Sequence, residues 1–257
     1  MSVNEKIFVV VPFYNEEKLI GNLLHSFARQ TDKNFHLILV NNNSTDNSAN
    51  IVENFIQNNK NISVEMILES EKGTGYALHT GFRKAISQGA NYLARTDADC
   101  EVEKNWVKKI RKYFSQGYEY IGGIICALKD EYYAWYDHFT QVLDPYISDM
   151  VPTYLLGLKY KGEEFKYSYK HMVGANMAIT KDLYLRAGEF AKGKIEDQNE
   201  DFILSETIRI LTDKVIKSYG LKVYASTRRR KTYGMRKTNN YYSHKDFDFE
   251  NETIDIR

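Results

Sequence analysis

The sequence predicts an α/β protein with a mostly parallel mixed central sheet, helices flanking it, and a separate aromatic lobe. Three observations carry that expectation. Short β-branched runs alternate with amphipathic stretches through the first half of the chain. Three of those runs end abruptly in polar clusters. After residue 128 the alternation gives way to an irregular segment crowded with tyrosine. Strand–helix alternation of this kind builds a parallel sheet covered on both faces. A chain of 257 residues is long enough for one sizeable core.

The elements follow in order. Ile7–Pro12 reads as a strand buried on both faces. Asn15 is placed to cap the next helix, with Glu16 and Glu17 near its positive end. Leu19, Ile20, Leu23, Leu24 and Phe27 recur along that helix at helical spacing. Phe35–Val40 is a second strand. Ser44 or Thr45 starts a second helix, whose inner face carries Ile51, Val52, Phe55 and Ile56. Ile62–Leu68 is a third strand, Thr74–Ser87 a third helix introduced by Gly73 and Gly75, and Asn91–Thr96 a fourth strand. Val102–Phe114 then reads as a helix and Tyr118–Cys126 as a strand. Glu131–Lys170, with Trp135, Tyr136, Phe139 and Tyr154, is aromatic and partly helical. Aromatics at that density make either a stacking platform for sugars or a core or subunit contact. Beyond it, His171–Ile179 and Leu221–Ala225 read as strands, and Lys181–Ala187 and Glu200–Leu211 as helices.

Composition narrows the class. Lysine and arginine total 35 against 34 acidic residues, so charge gives no reason to expect nucleic acid. Two cysteines, Cys100 and Cys126, make no disulfide framework and fit a reducing compartment. No charged-then-apolar leader opens the chain, and no apolar run reaches the roughly 20 residues of a membrane-spanning helix. The expected location is cytoplasmic, with peripheral contact at the inner face of the membrane allowed by the basic stretch 228–237. His79, His138 and His171 lack metal-ligand spacing, which argues against zinc.

The polar strand ends are where chemistry is expected, because ligands of open α/β sheets collect outside the carboxyl ends of the strands. Pro12–Glu17 follows the first strand, Asn41–Asp46 the second, and Asp97-Ala98-Asp99 the fourth. Each alone also reads as a turn, since Asn and Asp serve turns. Two carboxylates flanking a small residue suit a hard divalent cation; they equally suit an acid-rich helix start. Glu200 and Asp201 open another acidic helical turn, and Arg228 and Arg229 form a guanidinium pair that fits phosphate oxygens.

Taken in order, VVVPFYNEE, NNNSTD, GTGYALHTGFRKA, TDADC, GANMAITKDLYLRAGEF, NEDFILSETIRI and STRRR make a recognisable series. From about Ile7 to Arg230 the chain resembles the family-2 glycosyltransferases, inverting nucleotide-sugar enzymes of the GT-A fold. The resemblance implies transfer of a sugar from a nucleotide-diphosphate donor to a hydroxyl of a glycan or glycolipid acceptor, as in cell-surface glycan synthesis. It implies that Pro12, Tyr14, Glu16 and Asn42 hold the nucleoside, with Asn43 and Ser44 as turn and cap. Asn41 and Asn42 stand where many relatives carry aspartate; an amide can accept or donate, so the base remains open. Asp99 would bind Mg2+ or Mn2+, and Asp97 the metal or the ribose. Gly73, Gly75 and Tyr76 would let backbone approach the donor, and Asn176 would face the sugar. Arg228 and Arg229 would clamp the diphosphate. Asp201, paired with Glu200, would be the general base. Arg83 faces either the site or solvent, solvent being favoured.

The same resemblance divides the chain into a nucleotide-sugar half (1–128), an acceptor-side lobe with the catalytic base (129–230), and a flexible tail (231–257), basic and then acidic. Two alternatives stay open: transfer to a polyprenyl phosphate, and nucleotide-sugar binding without turnover. A nucleotidyltransferase or a dinucleotide oxidoreductase would need a glycine-rich loop after the first strand, which is lacking.

Overall fold

In the computed structural model of the chain, residues 4–134, 172, 174–193, 200–229, 231 and 232 are described. The strands are β1 (Ile7–Phe13), β2 (Phe35–Asn41), β3 (Val64–Leu68), β4 (Tyr92–Thr96), β5 (Cys100–Val102), β6 (Tyr120–Ala127), β7 (Asn176–Thr180) and β8 (Val215–Ala225). The helices are α1 (Ile20–Ala28), α2 (Ser48–Asn58), α3 (Thr74–Ser87), α4 (Trp106–Ser115), α5 (Lys181–Arg186) and α6 (Glu200–Leu211). One sheet runs in the order β3-β2-β1-β4-β7-β6-β8-β5. The β3–β2–β1–β4 half is parallel, with Ile7 opposite Phe35 and Val10 opposite Arg95. β7 runs antiparallel to β4 and β6, and β5 antiparallel to β8, while β6 and β8 are parallel.

Successive side chains of a strand point to opposite faces, and β1 shows why the sheet is covered twice. Ile7, Val9, Val11 and Phe13 face the layer holding Leu23, Leu24 and Phe27 of α1, Val52 and Phe55 of α2, and Trp106 and Ile110 of α4. Phe8 and Val10 face Ala77, Leu78 and Phe82 of α3, Leu183 and Tyr184 of α5, and Leu204 and Ile208 of α6. Each large apolar side chain so buried stabilises the fold by about 1.5–3 kcal/mol relative to exposure. A Cβ at Gly81 would sit 2.4 Å from Val10 Cγ1, so α3 can lie this close to β1 only with glycine there.

Several expected boundaries move. Asn15 does not cap α1: that helix starts at Ile20 behind Leu19, without a side-chain cap. Asn15 has a left-handed backbone (φ 52°) and turns its amide to the neighbouring loop. The second helix begins at Ser48, not at Ser44 or Thr45, because Asn41–Asp46 is consumed in turns. β3 begins at Val64 rather than Ile62. The expected helix from Val102 is instead strand β5 and then α4 from Trp106, with β5 edging β8. β8 is much longer than Leu221–Ala225, because its polar first half was masked by lysines and a glycine. Trp135, Tyr136, Phe139 and Tyr154 of the aromatic lobe, and His138 and His171, lie outside the described residues.

Candidate active site

The carboxyl ends of β1 and β2 are laced together by short polar side chains. Asn15 Oδ1 accepts from the Thr45 amide (2.8 Å), and the Asn15 amide donates to Ser44 Oγ (3.1 Å). The amide of Glu16 donates to Ser48 Oγ (2.7 Å), and Glu17 Oε2 accepts from the Asn47 amide (3.0 Å). Asn41 Oδ1 accepts from the Ser44 amide three residues on (2.9 Å), which tightens the loop leaving β2. Asn42 is buried, and its amide is directed at the loop after β3. Its Nδ2 donates to the carbonyls of Glu69 (3.1 Å) and Glu71 (2.7 Å), and its Oδ1 accepts from the Gly73 amide (2.8 Å). In the structure Asn42 thus holds the 69–73 loop with both donor hydrogens, where a base edge had been expected.

Asp97 and Asp99 stand just past β4, and the structure brings them to the same place as Glu200 and Asp201. The link is Arg95, a β4 side chain only 5% exposed. Its Nη1 is 3.0 Å from Glu200 Oε1 and its Nη2 is 3.3 Å from Asp97 Oδ1. Asp201 Oδ2 accepts from the Gly174 amide at 2.9 Å. Burial opposes the charge on Arg95, yet Asp97, Glu200 and Asp201 hold it protonated far above its ordinary value. Burial pushes the Asp97 carboxyl up; Arg95 opposes, and Asp99 and Asp201 add to the rise. Burial likewise raises Glu200, with Arg95 opposing and Asp201 adding.

On the other side of Asp99 lies Arg228, also buried. Its Nη2 donates to Glu16 Oε1 (2.5 Å) and to Asp99 Oδ2 (3.4 Å). Charges therefore alternate across the crevice, from Glu16 through Arg228 to Asp99, then Asp97, Arg95 and Glu200. Like charges adjoin at one step of this chain, between Asp99 and Asp97, where Asp99 adds to the cost of ionising Asp97. These two carboxylates are the ones that could hold a divalent cation. Among the described residues no three His, Cys, Asp or Glu side chains form a metal cage, so Mg2+ or Mn2+ would draw its remaining oxygens from a diphosphate, as Mg2+ usually does.

Other expected residues sit differently. Asn176 is fully buried and does not face a sugar. Its Nδ2 donates to the carbonyls of Ile124 (2.9 Å) and Leu221 (3.0 Å), and its Oδ1 accepts from Trp106 Nε1 (2.9 Å). It seals the point where the β6–β8 register shifts. Gly75 packs on the 191–193 segment: its amide donates to the Gly193 carbonyl (3.2 Å), and a Cβ would lie 2.3 Å from the Ala191 oxygen. Backbone approaches backbone there. Arg83 is 54% exposed and pairs with Glu189 (3.2 Å), on the solvent side. Pro12 and Tyr76 are partly buried, and Arg229 lies beside Arg228. Lys72 donates to Tyr14 Oη (3.1 Å) and lies 4.4 Å over its ring, so these two form one lip of the crevice.

Arg95 was not foreseen. Its signal was present: a lone cation inside the strand run Tyr92-Leu93-Ala94-Arg95-Thr96. Arginine is almost never fully buried unless paired, so that strand required acids from elsewhere in the chain.

Fold and site together define an α/β protein with an acidic crevice at the carboxyl edge of its parallel strands. Residues 8–185 match the Glycosyl transferase family 2 profile, and the chain belongs to that family. It is 34% identical over 113 residues to "Glycosyltransferase GlyA" of Streptococcus pneumoniae, covering 44% of this chain and 15% of that protein. It is 29% identical over 120 residues to the undecaprenyl-phosphate 4-deoxy-4-formamido-L-arabinose transferase of Proteus mirabilis, covering 46% and 36%. The matches thus span well under half of these relatives' length. Among solved structures, S. aureus TarS superposes with a TM-score of 0.63 at 17% identity, over 89% of this chain and 38% of that one. The mannosyltransferase PcManGT from Pyrobaculum calidifontis, in complex with GDP-Man and Mn2+, gives 0.63 at 17%, over 93% and 61%. The fold is the GT-A type. Among the described residues no helix is long and apolar enough to cross a membrane.

Proposed function

We propose that the chain is an inverting glycosyltransferase that moves a sugar from a nucleotide-diphosphate sugar to an acceptor hydroxyl, in cell-surface glycan or glycolipid synthesis. The observation that supports this most is the meeting of Asp97, which has Asp99 beside it, with Glu200 and Asp201 across Arg95. Pro12, Tyr14 and Lys72 line the nucleoside end, and Asn42 shapes it through the 69–73 loop. Arg228 and Arg229 face the diphosphate. Asp97 and Asp99 would hold Mg2+ or Mn2+, which when bound neutralises charge on the diphosphate.

Asp201 takes the proton of the acceptor hydroxyl. Its Oδ2 is anchored on the Gly174 amide, which leaves Oδ1 free to receive that proton. The deprotonated oxygen attacks the anomeric carbon opposite the leaving nucleoside diphosphate, so configuration inverts. A carboxylate is a weak base, and it suffices when proton transfer lags bond formation. Acceptor recognition is assigned to residues 129–230.

The test is binding followed by turnover. UDP- and GDP-sugars with MnCl2 should raise the melting temperature for at least one donor. Asp201→Asn should retain that shift and lose transfer; full transfer by Asp201→Asn would remove the base assignment. A second reading is favoured by the similarity to undecaprenyl-phosphate transferases. A lipid phosphate acceptor is already ionised and needs no base. Asp201→Asn would then keep transfer to polyprenyl phosphate, and the protein would float with vesicles containing that lipid.

A further inference from the structure

We propose that Arg95 is the positioning residue of this site: from β4 it sets the turn bearing Glu200 and Asp201 against the Asp97–Asp99 strand end. This rests on the glycosyl-transfer reading above. Three segments distant in sequence meet at this side chain. β4 supplies the guanidinium, the loop before β7 supplies Gly174, and α6 supplies the two carboxylates.

Nη1 of Arg95 is buried and meets Glu200 as an ion pair, without a well-directed hydrogen bond. The fork reaches Asp97 Oδ1 with Nε and Nη2, both at 3.3 Å, and Glu200 Oε1 with Nη1 at 3.0 Å. The Phe190 ring centre lies 5.7 Å from Cζ and backs the guanidinium. Gly174 is wedged against it: a Cβ there would lie 2.6 Å from Arg95 Nη1 and 2.8 Å from Asp201 Oδ2. The same Gly174 donates its amide to Asp201. Arg95 therefore fixes Asp97 and Glu200 by charge, and Asp201 through Gly174.

A purely stabilising ion pair is the alternative. Buried ion pairs are weak sources of net stability, because desolvation offsets their attraction. In some proteins such pairs serve to fix geometry instead, and both acids held here belong to the site. Lysine would keep the charge and lose the planar fork.

The experiment uses the full chain and the variants Arg95→Ala and Arg95→Lys. Hydrogen exchange measured by mass spectrometry reads the 172–176 segment and the first turn of α6. Calorimetry with UDP or GDP and MnCl2 reads nucleotide binding. Slow hydrolysis of UDP-GlcNAc and GDP-mannose, in which water takes the sugar and nucleoside diphosphate leaves, reads turnover. Both variants should exchange faster at those two segments by about tenfold or more, while β1 and α1 stay protected. Nucleotide affinity, which Arg95 touches through Asp97, should fall by about tenfold or less while turnover falls by about a hundredfold or more, the scale of a small misplacement of a catalytic group. Tens of millimolar guanidinium, far below the molar range that unfolds proteins, should restore part of both losses in Arg95→Ala. Unchanged exchange in both variants overturns the proposal. So does a loss of affinity equal to the loss of turnover, or full turnover by Arg95→Lys. If the wild-type chain releases nucleotide from neither donor, the glycosyl-transfer reading falls, and the exchange and rescue results still judge Arg95. Should Arg95→Ala fail to fold, Arg95→Lys carries the same readouts.

Discussion

Asn42 and Asn176 show what an amide does when it is buried. Both were expected to meet ligand, and both are instead saturated by the protein. Asn176 satisfies two carbonyls and the Trp106 indole. Leaving a buried donor or acceptor unmade costs about 1–3 kcal/mol each, so Asn176→Ala should lower stability by roughly 3 kcal/mol, read as a lower urea midpoint. Nucleotide affinity in the folded variant should stay near wild type. For Asn42 the telling change is to aspartate, which accepts but does not donate. Asn42→Asp would set a carboxylate against the carbonyls of Glu69 and Glu71. It should cost about 1–3 kcal/mol and loosen the 69–73 loop, seen as faster exchange of the Gly73 amide. A stabilised Asn42→Asp protein would contradict the loop-holding role. Sequence alone could not separate these uses, because an amide after a strand looks the same whether its partner is backbone or base.

At the scale of elements, the amphipathic helices were legible and the short edges were not. Leu19, Ile20, Leu23, Leu24 and Phe27 of the α1 region are all buried as their spacing implied. β5 escaped because three residues carry no periodicity. The polar half of β8 escaped because Lys217, Ser218 and Gly220 hide its strand character. α3 carries a testable titration. Burial and then Lys192 hold His79 below the ordinary histidine value, with Glu189 opposing and Arg83 adding to the fall. The folded state thus binds fewer protons than the unfolded state just below pH 6.5. Stability contributed by neutral His79 is present above that pH and is lost as pH falls through the ordinary value toward the lowered one. His79→Gln should flatten this part of the stability–pH curve, measured by urea unfolding from pH 5 to pH 7.5; an unchanged curve would exclude the effect.

For the whole molecule, the sheet brings together residues that lie about two hundred positions apart. Three strand ends of the first half, after β1, β2 and β4, were readable from polar clusters after apolar runs. Their meeting with Glu200 and Asp201 depended on β7 inserting antiparallel beside β4, which no local pattern announces. In the resulting site like charges meet at Asp97 and Asp99 and again at Glu200 and Asp201, and the first pair is the one proposed to hold the cation. Asp99→Asn should therefore abolish the extra thermal stabilisation that MnCl2 gives to bound UDP or GDP, while leaving the melting temperature of the free protein within a few degrees. Retained manganese dependence would place the cation elsewhere.

The most direct measurement is a crystal structure of the full chain with UDP or GDP and MnCl2. It should place manganese on Asp99, the diphosphate toward Arg228 and Arg229, and the Asp201 carboxylate facing the space left for the sugar. A nucleotide bound elsewhere, or an Asp201 turned away from the diphosphate, would contradict the site described here.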